Sequence, residues 1–210
     1  MVIAEKTASG KEGGTSLMRV ISGTARGHRL KAPRRMRLRP TPSRVKEALF
    51  SSFAARIAGA RVLELFAGTG AFGIECLSRG AAEAVFVEKD GRAAALIEDN
   101  LKKTKLSNRA LLWRVDVRQA LAGLQREQKT FNLVFADPPY EKTLQKTGEG
   151  PGWVKDLLES SALHFLLAPE GVLLVEHFKK DTKLDSPHFS LSRQFRFGDT
   201  MVSVFHHRTP

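Results

Sequence analysis

Arg61-Val-Leu-Glu-Leu-Phe-Ala-Gly-Thr-Gly-Ala-Phe-Gly73 is the stretch of the chain that decides the fold. An apolar run at 62–66, interrupted by one acid, leads into three glycines in G-x-G-x-x-G spacing. Apolar residues then recur at helical intervals, at Ile74, Cys76 and Leu77. The pattern predicts a buried strand, a glycine turn and a helix, which form the first unit of a doubly wound α/β sheet.

The acid in this stretch, Glu64, bears on the ligand of the turn. The usual ligand is a dinucleotide, whose pyrophosphate lies at the helix N-terminus. A carboxylate near the turn repels a pyrophosphate but suits a cation. S-adenosylmethionine carries an ammonium and a sulfonium and has no phosphate, so Glu64 favours it over NAD. The alternative is that the glycines only pack helix on strand and that Glu64 caps backbone amides.

The rest of the chain continues the alternation of strands and helices and ends in a hairpin. We predict a short strand at 18–22, a helix with Ser43 as N-cap, strands at 84–88, 110–117, 131–136 and 171–177, helices at 90–103, 118–128 and 153–167, and hairpin strands at 190–197 and 201–207. Gly198-Asp199 is a hairpin turn pair. These elements predict a mostly parallel sheet that is completed by an antiparallel strand.

Four acids and one glycine fall at or just beyond the predicted carboxyl ends of strands, where open α/β sheets bind ligands. They are Glu64, Gly68, Glu88, Asp116 and Asp137, and we expect them to line one crevice. Glu88 lies 18 residues after Gly70, close to the ~20 expected for an acid that binds ribose hydroxyls. Asp116 could accept a hydrogen bond from an adenine amine, or it could cap the next helix.

Asp137-Pro138-Pro139-Tyr140 follows the predicted fourth strand. The two prolines stiffen the backbone and keep Asp137 out of the helical region. An exocyclic base amine is a poor nucleophile because its lone pair delocalises into the ring. Fixed acceptors for its hydrogens, here the Asp137 carboxylate and the Pro138 carbonyl, would free that lone pair for attack on a methyl group. Tyr140 could stack on a flipped base. The alternative is an ordinary strand-ending turn.

The net charge of the chain indicates the class of its binding partner. The 210 residues carry a net charge of +12, and residues 18–46 are rich in Arg and Lys without a single acid. Such an excess favours a polyanion. The chain lacks an apolar run of the roughly 20 residues that span a bilayer, a signal peptide and the Cys/His spacing of a zinc site. We therefore expect a cytoplasmic protein without a metal or a membrane partner.

Motifs in four stretches of the chain indicate its family. The turn motif Glu64–Gly70 and the Asp137–Tyr140 motif resemble those of class I methyltransferases. Together with the stretches 19–27 and 39–50, they resemble the RsmD family, which methylates the exocyclic N2 amine of a guanine in bacterial 16S ribosomal RNA. The resemblance runs from about Met18 to the end of the chain. It implies a Rossmann-like fold with a seven-stranded, mostly parallel sheet, an antiparallel C-terminal hairpin strand and helices on both faces.

The resemblance also implies roles for residues. Those expected to bind S-adenosylmethionine are Thr41, Arg44, Glu64, Phe66, Gly68, Gly70, Glu88, Asp116 and Val117. Those expected to hold the target guanine are Asp137, Pro138, Pro139 and Tyr140, and those expected to meet RNA are Arg26, Arg29, Arg34, Arg35 and Arg39. Residues 1–17 are polar and rich in Gly, Ser, Thr and Lys, which predicts a disordered extension. We expect a basic RNA-binding and cofactor-capping segment at 18–53 and a methyltransferase domain at 54–210 to follow it. The polar loop at 141–152 is a candidate lid.

The expected partner is 16S ribosomal RNA, free or in an assembling small subunit, and the expected state is a monomer. Three other functions stay open from the residues alone. An adenine N6 amine in RNA or DNA would use the same Asp-Pro-Pro-Tyr motif. An NAD-linked oxidoreductase would use the same glycines, and a non-catalytic nucleic-acid-binding module would use only the basic charge.

Overall fold

The structure, a computed structural model, describes residues 18–32, 49–139, 152–181 and 184–208. Its strands are β1 (Arg61–Leu65), β2 (Glu83–Val87), β3 (Ala110–Trp113), β4 (Phe131–Ala136), β5 (Leu167–Phe178), β6 (Phe189–Phe197) and β7 (Thr200–His207). Its helices are α1 (Ala54–Ile57), α2 (Ala71–Ser78), α3 (Gly91–Thr104), α4 (Val117–Arg126), α5 (Trp153–Leu158) and α6 (Ser161–Leu166), with a 3-10 turn at Ser107–Arg109. Residues 49–52 are also helical.

The seven strands form one sheet in the order β3-β2-β1-β4-β5-β7-β6. Strands β1 to β5 pair in parallel, and β7 pairs antiparallel with both β5 and β6. The strand order reverses between β1 and β4, and this topological switch point is where open α/β sheets bind ligands. The predicted mostly parallel seven-stranded sheet with an antiparallel hairpin is confirmed.

Apolar side chains cover both faces of the sheet. Strand β1 shows how alternate residues of one strand contribute to the two faces. Because side chains alternate along a strand, Val62 packs in the core beneath α2, whereas Leu63 and Leu65 pack in the core beneath α4 to α6. The same alternation directs Glu64 to the α2 face. Cys76, predicted to be a buried apolar residue of α2, is fully buried there.

Residues 18–32 dock on the outside of α2 and α3. The buried carboxylate of Glu75 accepts hydrogen bonds from the backbone amides of Ile21 and Ser22, at 2.7 and 3.1 Å. Ser78 Oγ accepts one from the amide of Ala25 at 2.9 Å. The basic segment therefore has a defined position on the folded core, held by polar side chains that the helices bury.

Four element predictions were wrong in detail. The predicted strand at 171–177 begins earlier, at Leu167, and ends at Phe178. The predicted helix at 153–167 is two helices, because Ser160 is extended and its Oγ caps α6 by accepting from the Leu163 amide. The predicted strand at 110–117 ends at Trp113. The predicted strand at 18–22 is only an isolated bridge between Arg19 and Arg29. Of the helices in the described part of the chain, none has the length and hydrophobicity to cross a bilayer.

Candidate active site

The glycine turn between β1 and α2 depends on backbone conformations that favour glycine. Gly68 has φ 54° and Gly70 has φ 72°, and Gly70 is the N-cap of α2. Both values lie in the left-handed region, which side chains with a Cβ rarely adopt. A Cβ on Gly68 would meet nothing closer than a backbone oxygen at 3.9 Å, so the turn is open on that side.

Gly73 serves a different purpose, the close approach of α2 to the sheet. A Cβ at this position would lie 2.5 Å from the ring of Phe86 on β2 and 2.9 Å from Oε2 of Glu64. Only glycine lets the first turn of α2 approach both groups. The three glycines of the motif therefore make the turn, cap the helix and allow the packing, as expected for this fingerprint.

Glu64 lies 3% exposed beneath the start of α2. Its Oε2 accepts a hydrogen bond from the Gly73 amide at 2.8 Å, and its Oε1 accepts one from the Phe72 amide at 3.3 Å. The capping interpretation of Glu64 is thus observed, and a carboxylate at a helix N-terminus is favourable. Its negative charge also lies directly under the glycine turn, where it disfavours a phosphate.

Glu88 follows β2 and faces the same turn. Its Oε2 accepts a hydrogen bond from the Gly68 amide at 2.8 Å, and its Oε1 accepts one from the Asp90 amide at 2.8 Å. The carboxylate is partly exposed. Two backbone contacts thus fix an acid at the open side of the turn, where a ribose would present its hydroxyl groups.

Asp116 is the N-cap of α4, and Val117 is the first residue of that helix. The Asp116 carboxylate accepts a hydrogen bond from the Arg118 amide at 3.0 Å and lies 3.8 Å from Nζ of Lys89. The helix-capping alternative for Asp116 is therefore observed. Lys89 follows Glu88 directly, so this ion pair brings the carboxyl ends of β2 and β3 together.

Asp137 follows β4 on the other side of the switch point. Ala136, the last residue of β4, pairs with Leu65 of β1 and with Val175 of β5. Asp137 therefore leaves the sheet at the level where β1 enters the glycine turn. Asp137 and Pro139 are exposed, whereas Pro138 between them is buried. The buried proline anchors a short stiff segment that presents a carboxylate beside the turn.

An aromatic stack connects these two sides of the switch point. The rings of Phe72 on α2 and Phe135 on β4 lie 4.2 Å apart and nearly parallel. Phe50, from the helical residues 49–52, also stacks with Phe72, at 5.2 Å. This stack ties the glycine-turn helix to the strand that carries Asp137. The sequence pattern does not indicate this stack, because the three rings come from separate elements.

A second cluster that the sequence analysis missed lies on the opposite face. Trp153, the first residue of α5, packs its ring edge-on to Phe66 at 5.0 Å. The guanidinium of Arg118 lies 4.5 Å from the Trp153 ring and 2.7 Å from the Asp156 carboxylate. Phe66 and Val117 were both expected to contact the cofactor, so the cluster places α5 against that side of the site.

The structure brings the described candidates to one edge of the sheet, at the ends of the four adjacent strands β3, β2, β1 and β4. Arg26 and Arg29 are exposed on the docked basic segment. Other predictions lie outside the described residues: Thr41, Arg44, Arg34, Arg35, Arg39 and Tyr140, the extension at 1–17, the N-cap Ser43, and all of the loop at 141–152 except Gly152.

The residues present fit S-adenosylmethionine. The turn is open at Gly68, with the Glu88 carboxylate at its rim and the buried Glu64 carboxylate beneath it, and these two charges suit a cationic nucleoside and oppose a pyrophosphate. Within the described residues, the His, Cys, Asp and Glu side chains form no group of three or more that could hold a metal ion.

The sheet is mostly parallel, its strand order reverses beside the glycine turn, and it ends in an antiparallel hairpin. Together with the acids at the turn, these features place this protein among the Rossmann-like methyltransferases. Within that class, the family model described as Conserved hypothetical protein 95 matches residues 18–206. The chain belongs to this family. The resemblance to the RsmD family that the motifs indicated is confirmed.

Named relatives agree with this assignment. The chain is 34% identical over 195 residues to "Putative rRNA methyltransferase YlbH" of Bacillus subtilis, covering 91% of this chain and 100% of that protein. It is 37% identical over 147 residues to Ribosomal RNA small subunit methyltransferase D of Escherichia coli, covering 68% and 72%. The solved structure of a hypothetical protein from Thermus thermophilus is 30% identical, with a TM-score of 0.73, covering 90% of this chain and 99% of that one.

Proposed function

We propose that this protein transfers a methyl group from S-adenosylmethionine to the exocyclic N2 amine of a guanine in small-subunit (16S) ribosomal RNA. The observation that carries the proposal is the position of Asp137. This carboxylate leaves β4 level with the entry to the glycine turn, at the point where the strand order reverses. Homologues named for small-subunit rRNA methylation support the substrate.

The chemistry assigned to Asp137 and Pro138 is positioning and charge stabilisation. S-adenosylmethionine supplies an electrophilic methyl group when it is bound. The Asp137 carboxylate and the Pro138 carbonyl would each accept a hydrogen bond from the target amine, which turns the nitrogen lone pair toward that methyl group. Preorganised acceptors of this kind lower the barrier because they need no rearrangement during the reaction. The buried Pro138 keeps the two acceptors in a fixed relation.

The residues proposed to bind the methyl donor are those around the turn. Glu88 would accept hydrogen bonds from the ribose hydroxyls, Asp116 and Val117 would face the adenine, and Glu64 would offset the positive charge. Phe66, Gly68 and Gly70 would form the wall of the pocket, and Thr41 and Arg44 would close it. Tyr140 would stack on the target base.

Binding of the RNA would begin on the basic segment. Arg26 and Arg29 are exposed there, and we propose that Arg34, Arg35 and Arg39 extend the same surface. This corresponds to an RNA-binding and cofactor-capping segment at 18–53 ahead of a methyltransferase domain at 54–210. We also propose that the protein acts in the cytoplasm as a monomer, on free rRNA or on the assembling small subunit.

The test is methyl transfer from labelled S-adenosylmethionine to 16S rRNA and to small-subunit particles, followed by mass analysis of the nucleosides. We expect N2-methylguanosine. N6-methyladenosine would indicate the adenine alternative, and binding of NAD without S-adenosylmethionine in calorimetry would refute the proposal. The variant Asp137→Ala should lose about 100-fold or more in turnover, as when one preorganised catalytic contact is removed, and should keep its affinity for S-adenosylmethionine. Asp185→Ala, an exposed aspartate outside the site, is the matched control.

A further inference from the structure

The β6–β7 hairpin extends beyond the sheet edge that carries the candidate active site. Ala136, at the end of β4, is level with Val175 of β5 and hence with Ser203 of β7. Beyond that level, β5 and β7 continue to pair up to Phe178 and Thr200. These are three further residues of strand, or about 10 Å. The turn at Gly198 and Asp199 therefore projects past the level of Asp137.

The hairpin is also close to the site across the sheet. Strand β6 is three strands away from β4, which is about 14 Å at the usual spacing of about 4.8 Å between neighbours. One strand of a DNA duplex advances about 3.4 Å per nucleotide along its axis, which sets the scale for a base-stacked strand. An RNA with its target base at Asp137 would reach the hairpin within about four nucleotides.

The composition of β6 suits nucleic acid. Arg193 and Arg196 are exposed, and Phe195 and Phe197 are partly exposed. The guanidinium of Arg193 lies 4.6 Å from the Phe195 ring. The rings of Phe195 and Phe197 are 6.3 Å apart and within 10° of parallel. Arginines beside aromatic rings provide both phosphate contacts and stacking surfaces for single-stranded segments.

The end of β5 places charges of both signs beside the hairpin turn. Lys179 and Lys180 are exposed. Two acids are also present: Asp199 pairs with Lys179 at 2.7 Å, and Asp181 accepts the amide of Phe178 at 3.0 Å. The Asp199 charge is paired with Lys179, and the Asp181 carboxylate keeps its negative charge and offsets Lys180, so the outward positive charge of the hairpin comes from Arg193 and Arg196.

The hairpin shares a face of the sheet with the docked basic segment. Phe195 packs edge-on to Phe53 at 6.4 Å, and both belong to the core that also buries Val20 and Leu30 of the segment. One sheet face therefore carries exposed arginines on both sides of the switch point, Arg26 and Arg29 beyond α2 and Arg193 on β6. A bound strand centred on the site would meet positive charge in both directions.

We propose that the β6–β7 hairpin is a second RNA-contact surface, on which Arg193, on the face of the basic segment, and Arg196, on the opposite face of this edge strand, bind phosphates of the nucleotides that flank the target. The inference rests on the proposed function and assigns to it a substrate contact on the far side of the cleft from the basic segment. Both arginines are exposed, so their replacement leaves the core intact.

The experiment compares the double variant Arg193→Ala/Arg196→Ala with the wild type and with Arg126→Ala, an exposed arginine at the far end of α4. Binding to a naked 16S rRNA fragment is measured by fluorescence anisotropy over a series of salt concentrations, without methyl donor. Each lost phosphate contact should flatten the slope of log K against log salt by about 0.7–0.9. We expect a change of about 1.4–1.8 for the double variant, none for Arg126→Ala, and restoration by Arg193→Lys/Arg196→Lys.

Kinetics separate this inference from the proposed function. The double variant should raise the KM for rRNA about tenfold or more and leave the KM for S-adenosylmethionine unchanged. An unchanged salt slope and an unchanged KM for rRNA in a protein that methylates rRNA would overturn the hairpin contact and leave the proposed function standing. If the double variant shows a reduced salt slope but the wild type transfers no methyl group to rRNA, the RNA contact is supported and the proposed function is refuted. If the double variant binds naked rRNA like the wild type but binds small-subunit particles more weakly, the proposed contact with RNA is overturned. That result would indicate a ribosomal protein as the partner of the hairpin.

Discussion

Asn100 of α3 donates a hydrogen bond to the backbone carbonyl of Thr69, the middle residue of the glycine turn, at 3.0 Å. The same carboxamide accepts a hydrogen bond from the Lys31 amide at 2.7 Å and donates one to the Lys31 carbonyl at 3.1 Å. Asn100 is fully buried. One side chain thus fixes the end of the described basic segment against the turn that is expected to hold the methyl donor.

Replacement of Asn100 by alanine should therefore weaken the fold and the turn together. Each buried backbone group left without a partner costs about 1–3 kcal/mol, so we expect a loss of at least that size in the free energy of unfolding. We also expect a higher Kd for S-adenosylmethionine, because Thr69 would lose its anchor. Asn108→Ala, at an exposed position after the same helix, is the control. Denaturant unfolding and calorimetry measure the two effects, and an Asn100→Ala protein as stable as Asn108→Ala would contradict the assignment.

Two glycines at helix starts offer a matched comparison of packing. Gly73→Ala should destabilise the protein by about 1–3 kcal/mol, the usual cost of overpacking a core, since the added methyl would collide with Phe86 and Glu64. Gly91→Ala at the first position of α3 meets nothing within 4 Å. That change should be neutral or should stabilise by about 0.4–1 kcal/mol through the unfolded chain. Thermal melts of both variants test this, and equal effects would show that close packing is not what requires Gly73.

The sequence was sufficient for the sheet because β1, β2 and β4 are short buried strands separated by clear turn signals. It also predicted that the candidate residues Glu64, Glu88, Asp116 and Asp137 meet at one edge of the sheet, because carboxyl ends of parallel strands share one edge. It did not reveal the break at Ser160, where apolar periodicity runs on through the cap. A local side-chain bond to the Leu163 amide ends one helix and begins the next, and periodicity does not report such a bond.

Contacts between residues far apart in the chain also could not be predicted from the sequence. Nothing in the local pattern around Asn100 indicates that its amide bonds to Lys31, which is 69 residues away. The same holds for Arg118, Trp153 and Asp156, whose cluster joins α4 to α5 although strand β4 lies between them in the chain. For Glu64 and Asp116, both the capping and the ligand interpretations were available from the sequence, and the structure shows the capping contacts.

Glu88→Gln removes the negative charge at the open side of the turn and so measures its contribution to binding of the methyl donor. The glutamine oxygen can still accept the hydrogen bond from Gly68, whereas the exposed Asp90 amide loses its side-chain acceptor and bonds to water instead. Hydrogen bonds to a charged group are worth about 1.5–3 kcal/mol against about 0.5–1.5 for a neutral one, so we expect roughly tenfold weaker binding of S-adenosylmethionine. Glu127→Gln, exposed beyond the end of α4, is the control. Calorimetry measures the affinities, and unchanged binding in Glu88→Gln would remove Glu88 from the cofactor site.

His177 on β5 should make stability depend on pH. Burial lowers the pKa of His177 below its usual value near 6.5, and its hydrogen bond to the Phe178 carbonyl and the charge of Asp181 offset this only in part. The ring also bonds to Ser203 Oγ at 2.7 Å. Because the unfolded chain binds the proton more readily, the free energy of unfolding should fall as pH drops below about 6.5, until the folded-state pKa is reached, and should be level above it.

His177→Gln tests this contribution, since the amide keeps a partner for Ser203 and does not titrate. Burial and neighbouring histidines also lower the pKa of His164, so the variant should retain a smaller dependence of the same sign. Urea unfolding at pH 7.5 and pH 5.5 measures the difference for each protein. The loss of stability on acidification should be smaller in His177→Gln than in the wild type. An equal or larger loss in the variant would mean that His177 is protonated in the folded protein as readily as in the unfolded chain.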